Sequence, residues 1–296
     1  MMRRIAPLFI CLSLGFLAAC TADGESVGTV PPNEQGGVSN NGSSSDSKKI
    51  PASSAEDSQD VEDLSDLIEF VKIPAMSFTR GDAKFTVDDY FIGKTEVTQG
   101  LYRKVMGTIS KDDFLGDDFP VFNVSWYDAV LFCNALSKKA GLDTAYVYES
   151  ASENELKNLY VNYAVSSVRL PTELEWELAA RAGTLTTYYW DTDVASKYAY
   201  YAQDKGPVAV AGFTPNAYGL YDMAGNVAEW VNDWFLAYPT LSQVNYTGPE
   251  EGTYKVIRGG GWSDKAPALA SAERDKKDPK YHSQTVGFRV VYSKGF

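Results

Sequence analysis

Arg169-Leu170-Pro171-Thr172-Glu173-Leu174-Glu175-Trp176-Glu177-Leu178-Ala179-Ala180-Arg181-Ala182-Gly183 carries the signals of a short helix entered from a strand. Pro171 presets the backbone and stops the element before it. Thr172 is a cap residue, and Glu175, three positions on, reaches back to the cap amide as a capping box. Leu174, Leu178 and Arg181 or Ala182 share one helical face, and Gly183 closes the end in a left-handed turn. Glu173, Glu175 and Glu177 crowd the first turn, where carboxylates meet the positive end of the helix dipole. That accounts for them without catalysis.

Outward from this helix the pattern is mixed. Ser125 caps a second helix whose apolar positions are Trp126, Ala129, Val130, Cys133, Leu136 and Ala140, a single stripe ended by Gly141. Cys133 lies on that stripe and reads as a small buried hydrophobe. Ile68 to Ile73 alternates like a strand before Pro74, and Tyr146-Val147-Tyr148 reads as another. Residues 149–167 read as an insertion loop. After Arg181 the chain has few periodic segments but many Gly, Pro, Asn and aromatic residues, the mark of short strands and long structured loops. The fold class is α+β.

The N-terminus has its own chemistry. Arg3 and Arg4 precede an apolar run from residue 5 to 17, then Leu17-Ala18-Ala19-Cys20. Residues 1–19 read as a secretory signal, too short to span a membrane as a mature helix. Their end resembles a bacterial lipobox, which implies cleavage before Cys20 and acylation of its sulfur. Cys11 leaves with the signal and Cys20 becomes a thioether. Cys133 alone then remains, so the mature chain forms no internal disulfide. Residues 20–66 are rich in Ser, Gly, Asn and acid, with ten acidic residues against two lysines. Such a segment cannot bury enough apolar area to offset its ordering entropy and reads as a disordered, self-repelling tether. The domain from 67 to 296 holds 29 acidic and 23 basic residues and shows no basic face, which excludes a nucleic-acid partner. The expected location is the bacterial cell envelope, outer membrane or cell surface, with membrane contact through the lipid.

Five further blocks accompany the opening stretch in order. They are Phe91-Ile92-Gly93-Lys94-Thr95-Glu96-Val97-Thr98, Pro120-Val121-Phe122-Asn123-Val124-Ser125-Trp126-Tyr127-Asp128-Ala129, Pro215-Asn216-Ala217-Tyr218-Gly219-Leu220-Tyr221-Asp222-Met223-Ala224-Gly225-Asn226-Val227-Ala228-Glu229-Trp230, Arg258-Gly259-Gly260-Gly261-Trp262, and Gly287-Phe288-Arg289-Val290. Together the six resemble the formylglycine-generating enzyme family, also called the sulfatase-modifying-factor domain, over residues 67–292. The resemblance implies an irregular fold similar to C-type lectins.

It also implies a chemistry whose parts are missing. Active members oxidise a cysteine of a substrate peptide with a cysteine pair that holds Cu(I) after the glycine-rich block. Soft monovalent copper selects thiolate ligands, and residues 260–274 contain no cysteine, so copper is not expected. The sister ergothioneine sulfoxide synthases bind iron through three histidines. This chain has one, His282, in a polar loop, so iron is not expected. The resemblance does carry a calcium site onto the side chains of Asp222 and Glu229 and the carbonyls of Gly225 and Val227, oxygen donors that suit a hard cation. A second family calcium site, near 198–203, is not recognisable, and Ala228 replaces the usual aromatic before Glu229. Arg258, Trp262, Ser263 and Asp264 mark the candidate pocket.

Three functions follow as expectations. The first is a lipid-anchored, non-catalytic interaction or scaffold module of the envelope, a pseudoenzyme with a protein or glycan partner. The second is an oxidoreductase or small-molecule-modifying enzyme using non-cysteine chemistry on the same scaffold. The third is a glycan or cell-wall binder using Tyr188, Tyr189, Trp190, Trp230, Trp234, Tyr238 and Trp262 as stacking faces.

Overall fold

A computed structural model describes residues 61–110, 113–152, 155–191 and 194–296. The expected signal peptide, Cys20 and most of the expected tether lie outside the described residues.

In chain order the elements are helix α1 (Leu64–Leu67), strands β1 (Phe70–Ile73), β2 (Met76–Arg80), β3 (Ala83–Val87) and β4 (Tyr90–Gly93), then helices α2 (Gln99–Met106) and α3 (Trp126–Lys139). Strands β5 (Tyr146–Val147), β6 (Ser150–Ser152), β7 (Glu155–Lys157), β8 (Tyr160–Val161) and β9 (Ser167–Arg169) lead into helix α4 (Glu173–Arg181). The C-terminal part is β10 (Ala228–Trp234), β11 (Gln243–Val244), β12 (Lys255–Arg258), β13 (Asp275–Lys277), β14 (Val286–Phe288) and β15 (Val291–Ser293). Long turns join them. No helix of the described residues is long and apolar enough to cross a membrane.

Two four-stranded sheets organise the chain. One runs β1-β4-β15-β9, antiparallel throughout; the other runs β13-β12-β10-β14, with β10 and β14 parallel. A third sheet, β11-β3-β2, and two small pairs, β5-β8 and β6-β7, complete the set. The stretch 149–167 is therefore a hairpin, β6 to β7, followed by a strand that returns to β5.

The helices form where their caps put them. In α3 the Ser125 side chain accepts from the Asp128 amide while the Asp128 carboxylate accepts from the Ser125 amide, the reciprocal pair that satisfies two orphan donors. Thr172 and Glu175 do the same for α4. At the far end of α4 Gly183 is left-handed as expected, with φ 86°, and Ala182 before it adopts the left-handed conformation too, φ 45° and ψ 43°. Ala182 bears the cost of a Cβ there because its amide still reaches the Leu178 carbonyl.

The start of the folded segment differs from expectation. The Glu62 amide donates to the Lys139 carbonyl at 3.0 Å, and its carboxylate lies 2.6 Å from both Lys104 and Lys139. Residues 61–66, which composition places in the tether, are thus tied to α2 and α3. Two apolar clusters make the core. One gathers Ile73, Phe85, Ile92, Trp176 and Val256; the other surrounds α3 with Phe132, Leu136, Trp230 and Phe288. Each such side chain contributes about 2 kcal/mol by leaving water.

Candidate functional site

Every residue of α4 is buried, including three glutamates. A helix buried all round cannot rest on one apolar face, and the helix dipole alone does not explain these carboxylates. Guanidinium partners do. Arg169 holds Glu175 with two bonds of 2.7 Å. Arg274 holds Glu173 with two bonds of 2.6 Å. Glu177 receives Arg80 and Arg258 at 2.7 Å and Arg181 at 2.9 Å. Burial favours the neutral acid at Glu177, but these three cations outweigh it and hold its carboxyl below the ordinary range.

Arg258 is therefore structural. Its guanidinium is enclosed and also donates to the carbonyls of Ser271 and Glu273, leaving only its Nε without a partner. It lines a cavity of about 180 Å³ with Gly259, Gly260, Asp264 and Arg274. Of the four residues expected to share a pocket, only Arg258 and Asp264 reach this cavity. Ser263 and Trp262 do not line it, and the Trp262 indole N–H donates to the Gln284 carbonyl at 2.9 Å. Asp264 is spent on the turn, accepting from the Gly261 amide at 2.8 Å. The polar groups here bind each other. His282 lies in its exposed loop, its Nδ1 beside the Lys280 carbonyl and its Nε2 3.2 Å from Asp128.

The turn from Asp222 to Glu229 is built differently. Asp222, Gly225 and Asn226 all have positive φ, and at Gly225 a Cβ would stand 2.3 Å from the Tyr200 carbonyl oxygen, which only glycine permits. Three buried carboxylates surround this turn. Glu96 accepts from the Val227 amide at 3.1 Å and from Asn226 Nδ2 at 2.8 Å. Asp222 accepts from the Ala211 amide at 2.7 Å. Glu229 accepts two bonds of 2.7 Å from Arg289 and one of 2.6 Å from Trp176 Nε1. Burial, and then the neighbouring Asp222 and Glu229, push the Glu96 carboxyl well above its ordinary range. Burial also lifts Asp222 to about 6 against the Ala211 amide and Arg289, with Glu229 adding to the rise.

Three acids facing one guanidinium leave this turn short of positive charge, so a hard cation fits its electrostatics. The donor set fits less evenly. Asp222 has one oxygen uncommitted, whereas both oxygens of Glu229 already serve Arg289 and Trp176. Among the described residues no three acidic, histidine or cysteine side chains are gathered to hold a metal, so backbone carbonyls would have to supply part of the shell.

Glu96 and Arg289 are the residues that sequence reasoning passes over, although both stand in the quoted blocks. The available signal was a charged residue against apolar ones, Glu96 before Val97 and Arg289 between Phe288 and Val290.

Comparison with known proteins agrees with this architecture. The family model described as Sulfatase-modifying factor enzyme 1-like domain matches residues 57–294. The chain is 31% identical over 245 residues to Chaperone protein LppX of Paenibacillus barcinonensis, covering 72% of this chain and 83% of that protein. It is 30% identical over 192 residues to the formylglycine-generating enzyme of Mus musculus, covering 58% of this chain and 44% of the mouse protein. Among solved structures, Treponema denticola variable protein 1 superposes with a TM-score of 0.69 at 32% identity, over 76% of this chain and 95% of that one. The fold is accordingly the C-type-lectin-like α+β fold, with few regular elements and long loops. The chain belongs to the sulfatase-modifying factor enzyme 1-like domain family.

Proposed function

We propose that this protein is a non-catalytic, lipid-anchored interaction module of the bacterial envelope, held through acylated Cys20 and offset from the membrane by the acidic tether. The observation that carries the reading is the glycine-rich turn. Residues 260–274 offer no sulfur donor, and the adjacent Arg258 guanidinium is consumed by Glu177 and two carbonyls. A scaffold that cannot grip Cu(I) lacks the reagent for cysteine oxidation. Similarity to a protein named a chaperone favours a protein partner over a small molecule.

Calcium belongs to the same proposal. Asp222 and the carbonyls of Gly225 and Val227 would hold the ion, with Glu229 sharing its charge. The ion would offset the surplus of buried carboxylate and pin the turn by mass action.

The test is a sulfatase-derived cysteine peptide incubated with purified protein and copper, read by mass spectrometry. No aldehyde is expected, and Cu(I) titration is expected to find no stoichiometric site. Formylglycine in the product would overturn the reading in favour of an enzyme. Loss of palmitate labelling in Cys20→Ala checks the anchor, and a rise in melting temperature with calcium that Asp222→Ala abolishes checks the ion.

A further inference from the structure

A cavity of about 660 Å³ lies at the opposite end of the β10–β12 pair from the glycine-rich turn. Its floor is Trp126, Trp234 and Lys255. The two indoles stack with centroids 6.4 Å apart, and Lys255 Nζ lies 3.9 Å from the Trp126 ring centre and 3.7 Å from the Trp234 centre. The same ammonium donates to the Asn232 carbonyl at 2.8 Å. One wall comes from the 149–167 insertion, with Leu156 buried at its base and Tyr160 58% exposed at its mouth. The facing wall is the loop 247–251, which brings Glu250 and Glu251 to the rim.

The charge of this cleft is set by its rim. Burial pushes Lys255 down to about 7, with Asp233 opposing, while burial and Glu173 push Asp233 up to about 8. Lys255 brings at most one positive charge to the floor, against the two carboxylates of the rim. Glu250 and Glu251 are exposed, and neither has an ion-pair or hydrogen-bond partner among the described residues. More acid stands close by: after burial, Glu155 and Asp278 are the groups that hold the Tyr127 hydroxyl above its ordinary range. The cleft thus joins aromatic faces, two of which already flank Lys255 Nζ, to an acidic edge without ion-pair partners among the described residues. Cation–π attraction and rim carboxylates together favour a cation carried on an apolar stem.

We propose that this cleft receives a lysine or arginine side chain of a protein partner, with its stem against Leu156 and Tyr160 and its charge between Glu250 and Glu251. The inference rests on the reading of the chain as an interaction module and names the chemistry of what it takes. A neutral glycan would use the aromatic faces but leave the carboxylates without a counter-charge, so the basic side chain is favoured.

The test uses the purified full-length chain and fluorescence anisotropy with a fluorescein-labelled peptide of alternating glycine and arginine. A glycine–glutamate peptide of equal length and chitohexaose are the comparison probes. Binding of the arginine peptide is expected, weakened at least tenfold by Glu250→Gln with Glu251→Gln and at least threefold by Tyr160→Ala. All three are exposed positions, and unchanged melting temperatures establish that the variants fold. Absence of binding, equal binding by the carboxamide variant, or retention of chitohexaose in place of the peptide would each overturn the proposal. If the aldehyde assay is negative and the arginine peptide does not bind, the cleft assignment alone fails. A positive aldehyde assay defeats the module reading whatever the cleft binds.

Discussion

Arg169 and Glu175 form a two-bond pair with almost no access to water, and the same carboxylate closes the cap of α4 on the Thr172 amide at 2.7 Å. One side chain thus fixes both the start of a helix and the strand before it.

Glu175→Gln keeps an oxygen for the cap but leaves Arg169 a buried charge without a counter-ion. Removing one partner of such a pair costs about 3–5 kcal/mol. Urea denaturation should show a loss of that order, larger than for Glu69→Gln, whose carboxylate meets Lys94 at the exposed edge. Equal losses at the two positions would show that the buried pair is not a principal support.

Asp233 should make stability fall as the pH rises. Burial, then Glu173, lift its carboxyl from an ordinary 3.8 to about 8. The folded chain therefore holds a proton that the unfolded chain has released, and this contribution is complete below about pH 4 and lost as the pH rises through 8. Asp233→Asn keeps an acceptor for the Glu173 amide. It should be close to wild type at pH 4 and more stable by at least about 1 kcal/mol at pH 8.5. Denaturation midpoints across that range decide the matter, and a variant less stable at both ends would contradict it.

Lys255 fills the space between two tryptophans, and its shape should matter more than its charge. Lys255→Met keeps the stem and removes a buried cation, so it should fall within about 1 kcal/mol of wild type. Lys255→Ala opens a gap between the rings and should cost about 2–4 kcal/mol. Thermal melts of the two variants side by side test this, and the reverse order would assign the stabilisation to the ammonium.

Cys133 should be inert in the folded protein. It is fully buried on α3, and burial holds its thiol well above the ordinary range. Iodoacetamide labelling followed by peptide mass spectrometry should find Cys133 unmodified in buffer and fully modified in urea. Rapid native labelling would remove it from the core.

What the sequence discloses and what it conceals separate by range. Helices α3 and α4 are legible because their caps are written within four residues, Ser125 with Asp128 and Thr172 with Glu175. The partners of the α4 glutamates are not legible, since Arg80 and Arg258 reach Glu177 from 97 and 81 residues away, and Arg274 reaches Glu173 from 101. Adjacency also misleads at the glycine-rich turn. Gly259 and Gly260 have φ of 87° and 68°, which swing the chain so that Arg258 faces inward while Trp262 faces the Gln284 loop. The insertion at 149–167 hides its hairpin because three-residue strands are too short to show alternation.

Strand β15 lies inside its sheet, between β4 and β9, and so the last residues of the chain bridge two segments some hundred residues and more upstream. The sheet cannot close while those residues are still within the ribosome. Closure of this sheet must wait until β15 has been made, and until then the nascent polypeptide stays pliable, with many of its contacts formed across long stretches of sequence. Deleting 291–296 should therefore leave a chain that is made in full yet never becomes resistant to protease.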